Sequence, residues 1–285
     1  MIKNNVKSKS HLFYRTLKYF SYLIAAVVAL TLITLVFQIF ANGLKALSWQ
    51  FLFGEYDILA DKPSLLASLV STGYLVLISI AIAVPIGIAC AVYLNEYTKK
   101  GSKFVSVIRM ALDVLAGIPS IIFGLFGVLF FCVMLKLGNS VLAGALTMVL
   151  VILPPIVRSV EESLKSVPDS YREGSFALGA GKIRTIIKVV LPNAIAGIVN
   201  AIIISMGRVV GESAVILLTL GGVYNRVPEN VMAPGSSLAT TLYQFANTAF
   251  KPQAYATGIV LIVIVFALNL LAYYVEYLFS KKNAR

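Results

Sequence analysis

Charge is scarce in this sequence, and so are the side chains of soluble-enzyme chemistry. Only 13% of its 285 residues are charged while 59% are hydrophobic, a balance outside that of a soluble domain. The single histidine, His11, sits in the N-terminal tail, so zinc hydrolysis and serine–histidine catalysis lack their usual parts. The two cysteines, Cys90 and Cys132, both fall inside apolar runs, where their spacing suggests neither a disulfide nor a metal site. No G-x4-G-K-[ST] stretch occurs, so ATP hydrolysis is not expected of this chain, nor a catalytic role of any kind. An alternating ten-residue pattern, the mark of a membrane barrel, is absent too. So is a convincing internal repeat, which counts against a secondary anion transporter built from inverted halves.

Long uncharged runs are what the sequence does have. Residues 19–44, 63–95, 114–135, 137–157, 189–207 and 252–275 contain no Asp, Glu, Lys or Arg. A helix needs about 20 residues to cross a hydrocarbon core, and backbone in lipid must satisfy its own hydrogen bonds. The pattern predicts an all-α integral membrane protein with six transmembrane helices, near 19–41, 67–94, 108–134, 137–157, 190–221 and 254–278. The first run follows Lys3, Lys7, Lys9 and Arg15, as a signal peptide would. It exceeds the about 7–15 apolar residues of a signal core, so a retained helix is expected.

The net charge of +12 is distributed by side. With the N-terminus inside, the inner segments 1–18, 95–109, 158–188 and 279–285 hold 18 of the 24 Lys and Arg. The outer segments hold Lys45, Lys62, Lys136, Arg226 and Lys251, and Arg208 lies within a span. This asymmetry predicts both termini in the cytoplasm and reads as a topology signal rather than a nucleic-acid footprint. The expected organisation is a cytoplasmic tail (1–18), a first helix with its outer loop (19–62), a five-helix domain (63–279) and a short cytoplasmic tail (280–285). Within the five-helix domain lie an inner segment, 158–190, and an outer loop, 222–252. The first outer loop carries Trp49, Phe51, Phe53 and Tyr56, which suits an aromatic anchor at the headgroups.

Breakers interrupt several spans. Pro85 and Gly87 fall in the second, Gly117 and Pro119 open the third, and Pro154 and Pro155 sit near the end of the fourth. Each reads as a kink, or as the broken helix of a transport path. The inner loop is more specific. Asp169 is placed to cap a helix through Leu178, Gly179–Gly181 turns the chain, and a second helix from Lys182 carries Ile183, Ile186 and Ile187.

The spacing Glu173-Gly174-Ser175-x3-Gly179-x9-Val189-x-Leu191-Pro192 resembles the E-A-A-x3-G-x9-I-x-L-P signature of ABC importer permeases. Gly-Ser stands for Ala-Ala and Val for Ile, which keeps small residues small and the β-branched one β-branched. The resemblance implies a type I importer permease fold and a coupling helix, residues 171–188, that docks in a separate cytoplasmic ATPase.

The fifth expected span carries "SMGRVVGESAVILLTLGG". On a continuous helix Arg208 and Glu212 share a face and can pair, while Gly207 and Gly211 form a G-x3-G face beside them. Charges within a span are costly and usually face a pore or partner. The stretches "GRVVGESAVILLTLGG", "AGIPSIIFGLFG" at 116–127 and "LPPIVRSVEESLKSVPDSYREGSFALG" at 153–179 are similar to permeases of phosphate importers, as is "SLATTLYQFAN". That resemblance spans roughly residues 67–278. It implies Arg208 and Arg158 as candidates for anion movement, with Glu212 holding the geometry of Arg208. It also implies a second permease subunit, two ATPase copies that bind ATP-Mg, and an extracytoplasmic phosphate-binding protein facing the loop 222–252. An importer of another oxyanion, sulfate or molybdate, is the nearest rival.

Overall fold

The computed structural model describes the backbone of residues 2–57, 62–98 and 101–283, and the side chains of 14–57, 62–98 and 101–278. The side chain of His11 and those of the C-terminal tail lie outside the described residues. Twelve helices are named here: α1 (Ile2–Gly43), α2 (Trp49–Phe53), α3 (Leu66–Val92), α4 (Lys103–Gly117), α5 (Ser120–Gly127) and α6 (Val141–Lys165). They continue with α7 (Asp169–Ala177), α8 (Lys182–Thr185), α9 (Leu191–Gly211), α10 (Ala214–Thr219), α11 (Leu238–Ala246) and α12 (Lys251–Asn283). Three π turns extend α3 through Tyr97, extend α5 through Met134 and fuse α8 to α9.

Among the described residues, five helices are long and apolar enough to cross a bilayer, or six if the bent α4–α5 pair counts as one span. α6 is the axis, packed between α3 and α9, with Met148, Ile152, Ile156, Val157 and Val160 almost fully covered. Lipid tails give little hydrophobic drive for helix association, so close backbone approach matters instead. Gly87 supplies it where α3 meets α6: a Cβ there would lie 2.6 Å from Ile156 Cγ2. α12 packs on α9, and α1 packs along α12, meeting it at Gly43. The apolar window of α1 is otherwise bare within this chain.

Three expectations need correction. The third span is not one helix over 108–134. Ile118 and Pro119 are extended, and α4 and the α5–π stretch meet at 96°. Pro119 removes a donor and biases Ile118 away from helix, which explains a break rather than a kink. The fourth span does not end at 157; α6 runs through Pro154 and Pro155 to Lys165, into the expected inner segment. The fifth is not continuous over 190–221. It begins at Lys182, ends at Gly211, and resumes as α10 after an extended Glu212.

The loop after α10 folds back on the bundle. Gly221 and Gly222 adopt φ of +97° and +72°, which side chains other than glycine rarely accept. The returning strand satisfies the free start of α6: Val141 N donates to Ala233 O and Leu142 N to Val231 O. α11 then tucks between α3 and α12. Phe245 meets Tyr224 and Phe250 edge-on and Phe51 at a tilt there, so Phe51 is core, while Trp49 and Phe53 remain exposed.

Candidate coupling and translocation sites

At one end of the bundle α7 and α8 form the knob that the motif spacing predicts. Pro168, not Asp169, occupies the cap position of α7, and Asp169 is its first residue, where the helix dipole favours a negative charge. The helix stops at a Schellman turn. Gly179 has φ +79°, Ala180 N donates to Ser175 O and Gly179 N to Phe176 O. The spacing of Ser175 and Gly179 in the motif is thus the spacing of a helix stop. Ser175 Oγ also lies 2.8 Å from Thr185 Oγ1, which fastens α7 to α8.

The outer side of this knob is bare. Glu173 and Gly174 are exposed, and a Cβ on Gly174 would meet nothing within 4 Å among the described residues. Leu178 is 90% exposed, and Tyr171, Phe176, Ile183 and Ile187 are exposed as well. Lys182, Ile183, Arg184 and Ile187 line a groove of 740 Å³ together with Tyr97. Val189 and Leu191 are half-buried at the root of the knob, and Pro192 follows the π turn that joins α8 to α9. Of the three isoleucines expected on one side, only Ile186 is buried.

The second cluster is not what the sequence suggests. Arg208 is exposed in the last turn of α9, and Glu212 lies beyond the helix end at φ −75°, ψ 122°. No ion pair joins them among the described residues. Glu212 turns instead to α10, where its Oε1 accepts from Ala214 N at 3.2 Å and Val215 N at 3.4 Å. The i,i+4 relation fails because the helix it presumes ends at Gly211. Arg208 is left without an ion pair or hydrogen bond among the described residues. Beside it, a Cβ on Gly207 or Gly211 would meet nothing within 4 Å there. The G-x3-G face exists but is open within this chain.

Arg158 projects from α6 to α4, where it pairs with Asp113 and donates to Arg109 O at 3.4 Å. A second bridge, Arg109–Glu161 at 2.6 Å, joins the same two helices, and Lys165 adds a 2.7 Å contact to the buried Glu161. These partners escape sequence reasoning because Asp113 and Arg109 look like the charged edge of a span. Their i,i+4 spacing on α4 faces Arg158 and Glu161, i,i+3 on α6, and was the available signal. Arg226, in the loop after α10, pairs with Glu229.

The family described as binding-protein-dependent transport system inner membrane component matches residues 83–285. The chain belongs to that family. It is therefore an ABC importer permease, a transmembrane component located in the membrane. One relative, "Probable ABC transporter permease protein YqgI" of Bacillus subtilis, is 31% identical over 91% of this chain and 94% of its own length. The "Phosphate transport system permease protein PstA 1" of Mycobacterium tuberculosis is 35% identical over 82% of this chain and 74% of its own. A bacterial alginate ABC transporter, solved in complex with an alginate-bound periplasmic protein, superposes with a TM-score of 0.61. It covers 88% of this permease and 92% of that chain at 14% identity, a likeness of fold.

Proposed function

We propose that this permease subunit moves inorganic phosphate into the cell, with both termini in the cytoplasm and α7 seated on a separate ATPase. The partners are a second permease of similar fold, two ATPase copies and an extracytoplasmic phosphate-binding protein. The observation that carries the anion reading is Arg208. It is a guanidinium within a span, exposed, unpaired among the described residues, and flanked by two glycines that leave its surroundings open. An unpaired cation in a span is costly unless a pore, a partner or a ligand compensates it. Arg158 offers a second cationic step nearer the α7 end, its charge held by Asp113 between passages. Glu212 serves this route by shaping the helix break rather than by balancing Arg208. The name of the tuberculosis relative supports phosphate over other oxyanions.

The coupling residues follow from the knob. Glu173, Gly174 and the apolar tip at Leu178 form the docking face, Ser175 and Gly179 fix its turn, and Val189, Leu191 and Pro192 root it on α9. Small residues permit the close approach that helix-in-groove docking needs.

The test is uptake into proteoliposomes holding the complete complex, with ATP inside and binding protein outside. Arg208→Gln is expected to abolish phosphate uptake with complex composition unchanged. Undiminished uptake removes Arg208 from the path. Sulfate transported in preference to phosphate by the wild type assigns the cargo to another oxyanion. ATP-independent uptake by the isolated chain contradicts the whole reading.

A further inference from the structure

Within the knob α8 continues into α9, whereas α7 is only weakly attached to the bundle by packing. No residue of α7 is fully buried, and the helix rests on the α8 stretch rather than broadly on α3 or α6. Lys182 Nζ, 4.9 Å over the Tyr97 ring, ties α8 to the end of α3, and Arg172 ties α7 to the bundle. Arg172 Nη2 lies 2.8 Å from Glu96 Oε1, and its Nε lies 3.2 and 3.3 Å from the two Glu96 oxygens. Its Nη1 donates to Val167 O at 2.7 Å and to Asp169 Oδ1 at 3.2 Å, and Nη2 also donates to Leu164 O at 2.9 Å.

All three guanidinium nitrogens are engaged, so the five donors of Arg172 are used on three elements. Glu96 sits in the π turn that ends α3, held by Asn95 Nδ2 at 2.8 Å. Leu164 lies in the last turn of α6 and Val167 in the short link to α7, at a helix end whose dipole favours a cation. Both charged side chains are largely shielded, Arg172 at 13% and Glu96 at 8% exposure. Lysine has no planar fork to reproduce this grip.

A cavity of 910 Å³ lies next to this bridge. Glu96, Asp169 and Arg172 line it together with Arg109, Asp113 and Ser106 of α4. Among the described residues the Arg172 bridge ties α7 to α3 and α6, and α6 in turn holds α4 through Arg158 and Glu161.

We infer that Arg172 and Glu96 form the joint through which displacement of α7 reaches the membrane helices. The inference rests on the reading that α7 docks the ATPase, and it names positioning residues distinct from that docking face. Without the joint, the ATPase still binds the knob but its stroke turns α7 against a bundle that does not follow.

The experiment uses the complete reconstituted complex, with ATP hydrolysis measured with and without substrate-loaded binding protein, and uptake measured in parallel. Arg172→Gln and the nearly isosteric Glu96→Gln are expected to keep the ATPase in the purified complex and leave unstimulated hydrolysis intact. Stimulated hydrolysis and uptake are expected to fall at least tenfold, with R172K between these variants and the wild type. Hydrogen exchange at the α7 amides is expected to rise in E96Q without a matching rise in α6. An unchanged stimulation ratio in both Gln variants overturns the joint. Loss of the ATPase from the E96Q complex also overturns it, because Glu96 then belongs to docking. A wild-type chain that recruits no ATPase overturns the docking reading itself.

Discussion

At the scale of single residues, Glu212 separates two readings of one short stretch. As a pairing partner of Arg208 it would need its charge; as the cap of α10 it needs an acceptor oxygen near Ala214 N and Val215 N. Capping side chains contribute about 1 kcal/mol, and glutamine retains an oxygen of the same reach. Glu212→Ala is therefore expected to lower the unfolding midpoint of the purified chain in detergent by about 2 °C. Glu212→Gln and Arg208→Gln are expected to leave it close to wild type. Equal losses from all three would restore the ion pair. In the sequence Arg208 and Glu212 stand out by being charged within an expected span. Their relation is misjudged because nothing in "GRVVGESAV" distinguishes an unbroken turn from Glu212 leaving the helix to cap the next one.

At the scale of elements, α4 is an arm clasped to α6 by two bridges, Arg158–Asp113 and Arg109–Glu161. Val105 and Leu112 are its fully buried residues, while Phe104, Val107, Met110 and Val114 are exposed. Removing a carboxylate should free the arm without melting the core. Glu161→Gln is expected to speed amide exchange over 103–117 about tenfold, or about 1.4 kcal/mol of local opening. Asp113→Asn should do less, because Asp113 is exposed and screened by solvent whereas Glu161 is buried. Exchange that rises equally in α6 and α4 would mean a bundle that loosens as one.

The re-entrant α11 is held by hydroxyls instead. Ser68 Oγ lies 2.6 Å from Thr241 Oγ1, which donates to Ser236 Oγ at 2.9 Å, while Leu238 N donates to Thr72 Oγ1 at 3.0 Å. All four hydroxyl residues are buried, so stripping one leaves another unsatisfied, at about 1–3 kcal/mol. Thermal or denaturant unfolding of Ser68→Ala, Thr241→Val and the double variant should show a double loss well below the sum of the single losses. Additive losses would mean that the two hydroxyls act independently.

These elements mark where legibility ends. The knob is readable because its turn, from Ser175 to Gly179, is local chemistry. The spans are readable because lipid imposes their length and apolarity. The 96° bend follows from Pro119 in hindsight, yet a proline in an apolar run is equally compatible with a mild kink. The joints at 96–172 and 109–161 connect residues far apart in sequence, and single charges at span edges advertise no partner.

For the whole molecule, the surfaces that stay bare define what the chain still needs. α1 leaves its apolar window uncovered, and α4 and α5 expose large side chains around an apolar cleft of 470 Å³. Lipid covers such surfaces without penalty, so they do not by themselves call for a protein. Gly207 and Gly211 are different, because small residues flanking an exposed arginine serve lipid poorly and suit the close approach of another helix. Within the chain a side chain added at either glycine meets nothing within 4 Å among the described residues. Gly207→Leu and Gly211→Leu should thus leave the unfolding midpoint of the isolated chain unchanged, or raise it slightly as a helix glycine is replaced. If the second permease lies against this face, both variants should lose it on co-purification, and transport with it. A complex that assembles normally around both leucines places the partner elsewhere on the surface, and Arg208 would then face lipid headgroups or open water rather than a path shared between two subunits.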